Sequence, residues 1–242
     1  MSRRILLGML TPSSNTILEP VTQAMVADLP EVTAHFGRFK VTEIALSREA
    51  LSQFDDSEIL RAAELLAHAK VDVIGWNGTS SGWLGFDADH RLIERIESAT
   101  GIRATTSMLA LNEILETRGI RRLGYVTPYL DDVQAKIVGN YEGLGISCGA
   151  ERHLGIRDNF TFSEIDAETI SRLVREVAAD RPEAIAIICT NMRGAPLVEA
   201  LEREIGLPIY DSISTVVWKS LKLAGVDPSR VAGWGSLFRD LP

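Results

Sequence analysis

The chain has 242 residues, of which 45% are hydrophobic and 24% charged, and 25 Lys and Arg against 33 Asp and Glu give a formal net charge of −8. This composition fits a globular protein of one large or two small domains and excludes a collagen, a coiled coil or a disordered tail. The acidic balance argues against general nucleic-acid binding, and no apolar run approaches the roughly 20 residues that span a bilayer. The basic-then-apolar start, Met1 to Leu10, is broken by Gly8 and is too short for a signal peptide, so a cytoplasmic location is expected. Two cysteines, Cys148 and Cys189, point to free thiols rather than a disulfide framework.

Residues 5–10 form an apolar run that ends at Thr11-Pro12 and reads as a buried strand. Residues 57–70 carry apolar side chains at helical spacing, with Ser57 as the candidate N-cap. A second buried strand over 71–76 runs into the loop Gly75-Trp-Asn-Gly-Thr-Ser-Ser-Gly82. Helical patterns follow over 87–100, closing on Gly101, and over 108–118, closing on Gly119, near which the chain divides. The second half begins with a strand over 122–126, a helix over 131–144 with Gly145 after it, and an outer strand that holds Cys148. A helix over 166–180 capped by Asp166, a buried strand over 184–188 and a helix over 195–205 closing on Gly206 complete the series. Strand–helix alternation means parallel sheet with helices on its faces.

The halves also repeat. Leu6-Leu-Gly-Met-Leu-Thr-Pro12 matches Arg122-Leu-Gly-Tyr-Val-Thr-Pro128, with the Thr-Pro pairs 116 positions apart. Asp72-Val-Ile-Gly-Trp-Asn-Gly-Thr-Ser80 matches Glu183-Ala-Ile-Ala-Ile-Ile-Cys-Thr-Asn191 at an offset of 111. Two ordered matches at nearly one offset indicate a duplicated α/β unit. Chemistry in such sheets gathers beyond the strand carboxyl ends, here residues 11–15, 78–82, 127–129 and 189–193.

Each candidate there has a plain structural reading beside the chemical one. Cys189, close to helix N-terminal amides that would favour thiolate, can move a proton or attack carbon, or can be a small buried strand-end residue. The glycine- and hydroxyl-rich loop 75–82 can hold an anion or be a tight turn into a helix; it lacks the features of a P-loop or a dinucleotide fingerprint. Tyr129 can bind an oxyanion or pack at a helix start. Asp87, Asp89 and His90, like Asp131 and Asp132, read as helix-start charges. The four histidines show no metal-ligand spacing, so no metal is implied.

Together these motifs resemble the aspartate/glutamate racemase superfamily, specifically its branch of maleate cis–trans isomerases and arylmalonate decarboxylases. The resemblance covers essentially the whole chain. It is carried by Gly8-Met-Leu-Thr-Pro-Ser-Ser-Asn15, Gly78-Thr-Ser80, Val126-Thr-Pro-Tyr-Leu-Asp-Asp-Val133, Leu154-Gly-Ile-Arg-Asp-Asn159, Cys189-Thr-Asn191 and Gly233-Trp-Gly-Ser-Leu-Phe238. It implies two pseudo-symmetric flavodoxin-like lobes, each a parallel sheet flanked by helices, with the active site in the cleft between them. The expected division is 1–115, with 220–242 packing back on it, and 116–219. The family is cofactor-free and acts on a small carboxylate or dicarboxylate, and the resemblance allows a monomer or a small homo-oligomer.

Racemases of this type carry one cysteine per lobe, and maleate isomerases use the first-lobe cysteine as a nucleophile. The first-lobe position matches Gly78 here, a departure shared with arylmalonate decarboxylases. By that resemblance Thr79, Ser80, Tyr129 and the amides around Cys189-Thr190 hold one carboxylate while Cys189 protonates the enediolate left by decarboxylation. Asn15 and Asn159 instead match carboxylate ligands of the isomerases, and Arg38, Asn77 and Arg157 would add polarity. Maleate-isomerase-like chemistry and a non-catalytic carboxylate-binding protein are therefore the alternatives. The repeat further predicts that a thiol placed at position 78 would oppose Cys189.

Overall fold

The computed structural model of the chain, which describes residues 3–44, 46 and 56–241, contains two parallel four-stranded sheets. The first comprises β1 (Ile5–Pro12), β2 (Val32–Phe39), β3 (Val73–Trp76) and β4 (Ala104–Thr106), in the order β2-β1-β3-β4. The second comprises β5 (Arg122–Thr127), β6 (Ser147–His153), β7 (Ala184–Ile187) and β8 (Ile209–Asp211), in the equivalent order β6-β5-β7-β8. Four of the five strands read from sequence are the central ones, β1, β3, β5 and β7, whose near-continuous apolar runs follow from burial on both faces; the fifth, the outer strand that holds Cys148, is the edge strand β6.

Ten helices connect and flank the strands among the described residues: α1 (Leu18–Met25), α2 (Asp56–His68), α3 (Ser81–Leu84), α4 (Asp87–Thr100), α5 (Ser107–Arg118), α6 (Asp131–Gly143), α7 (Ala167–Ala178), α8 (Val198–Ile205), α9 (Ser212–Leu223) and α10 (Ser236–Asp240). Asp166 caps α7 as expected, its carboxylate accepting from the Thr169 N–H at 2.7 Å. Ser57 does not cap α2, which already begins at Asp56. Gly101, Gly119 and Gly206 end α4, α5 and α8 in the left-handed conformation. No helix among the described residues is long and apolar enough to cross a membrane.

Strand register makes the duplication explicit. In the first sheet β3 pairs up to Leu10 with Trp76; in the second, β7 pairs up to Val126 with Ile187. Gly78 and Cys189 thus sit at equivalent places, each two residues past the last paired one. Trp76 and Ile187 pair in turn with Thr106 and Asp211. Those two residues cap the next helices: Thr106 accepts from Leu109 N–H at 3.0 Å and Asp211 from Ile213 N–H at 2.8 Å.

The lobes interlock through α5 and α9, which pack on each other, the Thr215 hydroxyl donating to the Ser107 carbonyl at 2.9 Å. Helix α9 also lies on β3 and β4 of the first sheet, against α1, and against β8. Its close approach to β3 depends on Gly75, where a Cβ would stand 3.0 Å from Val216 Cγ2 and 3.1 Å from Ser220 Oγ. Burial around nearly the whole of α9 matches its mostly apolar, small-residue sequence. A second contact joins α3 to α6, where Asn140 donates to the Gly82 carbonyl at 2.8 Å.

Asp89 departs from its reading as a helix-start charge. It lies in the first turn of α4 but is only 2% exposed, facing the Ser81 and Thr106 side chains, and burial pushes its carboxyl up to about 6 from 3.8. A carboxyl raised in the folded state contributes stability below its unfolded value and loses that contribution as pH rises through 6. Asp89→Asn is therefore expected to match the parent near pH 4 and to exceed it by up to about 3 kcal/mol at pH 8. Urea titrations at the two pH values measure this; an unchanged difference between them would show that Asp89 ionises as freely as a surface carboxylate.

Candidate active site

The carboxyl ends of the central strands converge on one cleft. Pro12 follows from β1, Trp76 to Ser80 from β3, Tyr129 from β5 and Cys189-Thr190 from β7; Val41, Ile44, Trp83 and Asn159 complete the lining. Three roomier grooves, of about 530, 930 and 350 Å³, lie elsewhere on the surface and border none of the strand-end candidates. The free volume of the cleft is about 20 Å³, room for about one water molecule.

Hydrogen bonds stitch the halves together around this space. Thr79 and Tyr129 hydroxyls lie 2.7 Å apart, and the Thr190 hydroxyl donates to the Asn77 carbonyl at 3.0 Å. The Asn191 side chain accepts from the Thr16 N–H at 3.0 Å and donates to the Asn159 carbonyl at 2.6 Å. Asn159 in turn donates to Ser14 Oγ at 2.7 Å. Tyr129 is fixed further by edge contacts to Trp83 and Phe162, with ring centroids 5.2 and 5.6 Å away. Burial holds its phenol well above the ordinary value, so it stays a neutral donor.

Gly78, Thr79, Ser80, Tyr129, Asn159, Cys189 and Thr190 are brought together; Asn15 is not among the lining residues. Its amide donates to the Thr190 carbonyl at 3.0 Å and accepts from Ile17 and Leu18 N–H at 3.0 and 2.9 Å, so it clamps α1 to the second lobe. Arg38 bonds Glu19 and the Ser13 and Asn15 carbonyls, and Arg157 pairs with Glu43. Neither arginine borders the cleft, and no charged side chain does among the described residues. Nor do any three His, Cys, Asp or Glu side chains of the described residues group as a metal site requires.

Cys189 departs from the expected thiolate-favouring position. The nearest following α-helix, α8, begins only at Val198 after a 3-10 turn at Ala195–Leu197. The thiol is 2% exposed, and burial pushes it up to about 12, against the opposing pull of the Asn191 N–H at 3.4 Å, Tyr129 and the Met192 N–H. The buried Asp211 carboxylate adds a smaller push in the same direction. Its own carboxyl is raised by burial to about 7, the Ile213, Ser214 and Ala195 N–H groups opposing the rise. The site therefore offers one neutral thiol as a proton donor, several neutral hydroxyl donors and an apolar wall of Pro12, Val41 and Ile44. Cys148, on the outer strand β6, is remote from it.

Sequence reasoning missed what faces Gly78. A Cβ built there would lie 2.2 Å from Trp76 Cζ2 and 2.7 Å from Trp76 Nε1. The space a thiol would take at position 78 is filled by the Trp76 indole, which packs at a tilt of 41° against Phe39 with centroids 4.7 Å apart. The resemblance marked the absent cysteine; no local pattern marks a tryptophan two residues earlier folding back over the glycine.

Residues 15–238 match the family model described as arylmalonate decarboxylase. Among curated proteins, the chain is 28% identical to a maleate isomerase of Nocardia farcinica, over 98% of the chain and 96% of that protein. It is 26% identical to an arylmalonate decarboxylase of Bordetella bronchiseptica, over 96% of the chain and 95% of the relative. Among solved structures, the maleate isomerase Iso from Pseudomonas putida S16 superposes with a TM-score of 0.90 at 24% identity, covering 98% of this chain and 99% of the other. That likeness establishes the two-lobed α/β fold.

Proposed function

The chain belongs to the arylmalonate decarboxylase family, and from that premise we propose that it is a cofactor-independent decarboxylase of a small dicarboxylic acid. The observation that carries this reading is a single neutral thiol, Cys189, on the same cleft as a thiol-less Gly78, with no charged lining among the described residues. One carboxylate is held by the hydroxyls of Thr79, Ser80 and Tyr129, donors placed where negative charge develops. The second lies toward Pro12, Val41 and Ile44, where desolvation favours loss of charge. Its carbon–carbon bond breaks, CO2 departs, and the electron pair spreads into the retained carboxylate as an enediolate. Cys189 then delivers its proton to the α-carbon and is reprotonated by solvent. A ligand of this size exceeds the free volume of the cleft, so binding separates its walls.

A maleate-isomerase-like reaction is the second reading, favoured by Asn159 on the cleft and by the similarity to maleate isomerases. It lacks a first-lobe nucleophile, and the high pKa of Cys189 disfavours thiolate attack. Proton NMR in D2O with a panel of malonates and maleate separates the readings. Decarboxylation with one deuterium at the α-carbon is expected. Conversion of maleate to fumarate would establish isomerisation instead, and ligand-induced melting shifts without turnover would indicate a binding protein.

A further inference from the structure

Two buried polar atoms on the first-lobe side of the cleft have no hydrogen-bond partner among the described residues: Trp76 Nε1 and Asn77 Oδ1. Trp76 is 1% exposed and Asn77 fully buried, and both line the cleft. The Trp76 edge that crowds a Cβ at position 78 includes its nitrogen, 2.7 Å away, so the indole occupies the space of a side chain at the position equivalent to Cys189. The Asn77 amide orientation is fixed by its donor side, which gives hydrogen bonds to the Leu10 and Gly75 carbonyls at 3.1 and 3.0 Å. Its oxygen is left over. A buried N–H and a buried carbonyl each cost about 1–3 kcal/mol when unpaired, a cost that a suitable ligand group relieves.

We propose that Trp76 and Asn77 form a subsite for a hydroxyl group on the α-carbon of the substrate, on the face away from Cys189. A hydroxyl accepts from the indole N–H and donates to the Asn77 oxygen. A carboxylate satisfies only the first and meets the second as a repulsive acceptor. The indole also fills the space in which a second thiol would act, so the subsite reads substrate where a two-thiol enzyme would hold its other acid or base. This rests on the carboxylate reading of the same cleft and narrows it to small 2-hydroxy dicarboxylic acids.

Hydroxymalonate and malonate, which differ by that hydroxyl, are the probes. Both are titrated into the wild-type protein, followed by melting temperature and by the indole N–H resonances in 1H–15N spectra. Trp76→Phe assigns the Trp76 signal and removes the donor while keeping an aromatic ring. Hydroxymalonate is expected to bind about tenfold more tightly than malonate and to shift the Trp76 resonance, and the preference falls to within about twofold in Trp76→Phe. Equal affinities in the wild type, or an unmoved Trp76 signal while hydroxymalonate binds, overturn the subsite and leave the carboxylate reading standing. Absence of binding and turnover with both acids overturns that reading, and the subsite with it. The wild-type affinity ratio decides the question even if Trp76→Phe fails to fold.

Discussion

Cys189→Ala is expected to slow decarboxylation roughly 10³-fold while leaving carboxylate binding within about threefold of the parent. In the proposed reaction the thiol is the proton donor, whereas the retained carboxylate is held by the hydroxyls of Thr79, Ser80 and Tyr129, which the substitution does not touch. Rates and product deuterium content in D2O, together with melting shifts on ligand addition, measure both halves of the expectation. An alanine variant that still turns over at the parental rate would remove Cys189 from the reaction. The pH profile supplies an independent check. With the thiol pushed up to about 12, its ionisation leaves the rate flat through pH 9, whereas an alkaline limb near the ordinary thiol value of about 8.5 would mean that water reaches Cys189 freely. Ionisation of Asp211 near 7 acts in the same sense, adding negative charge that holds the proton on sulfur.

Gly78→Cys is expected to destabilise the protein by about 3 kcal/mol or more, because its Cβ would fall 2.2 Å from the buried Trp76 ring, which Phe39 holds in place. In a Trp76→Ala background the same substitution should cost little, since the thiol then enters vacated space. The coupling in the double-mutant cycle should therefore reach about 2 kcal/mol, readable by urea denaturation. Additive effects would show that the indole does not hold that position in solution. The paired variant, rather than the single one, is expected to place a thiol opposite Cys189 and to exchange the α-proton of a monocarboxylic acid with D2O. This revises the expectation from the repeat alone, in which a cysteine at position 78 sufficed.

The central strands were legible because burial on both faces writes continuous apolar runs such as Ala184 to Ile187. Strands β4 and β8 have three residues each, too few to carry a period, and the edge strand β2 mixes His35, Gly37 and Arg38 into a partly exposed face. Helix α9 escaped notice because a helix buried nearly all round lacks the polar stripe that makes amphipathicity visible. Of the site, the strand-end motifs located Thr79, Ser80, Tyr129, Cys189 and Thr190 at the cleft. They could not separate Asn159, which reaches it, from Asn15, whose amide is consumed by Thr190 and the start of α1. That distinction depends on where side chains point after folding, as does the conversion of Asp89 from a surface charge into a buried acid.

The placement of α9 bears on how the molecule can open. The chain leaves the second sheet at Asp211 and immediately lays α9 across β3, β4 and α5 of the first. Swinging the two halves apart like jaws would peel this helix from a sheet it touches through Gly75, exposing the buried side chains that pack on that sheet, Val216 among them. Exposing several large apolar side chains costs about 1.5–3 kcal/mol each, more than a routine hinge motion can bear. The two halves therefore behave as a single rigid frame. Under the proposed function, substrate would enter by displacement at the rim, where Val41 and Ile44 are carried by the chain beyond β2, while the waist stays shut.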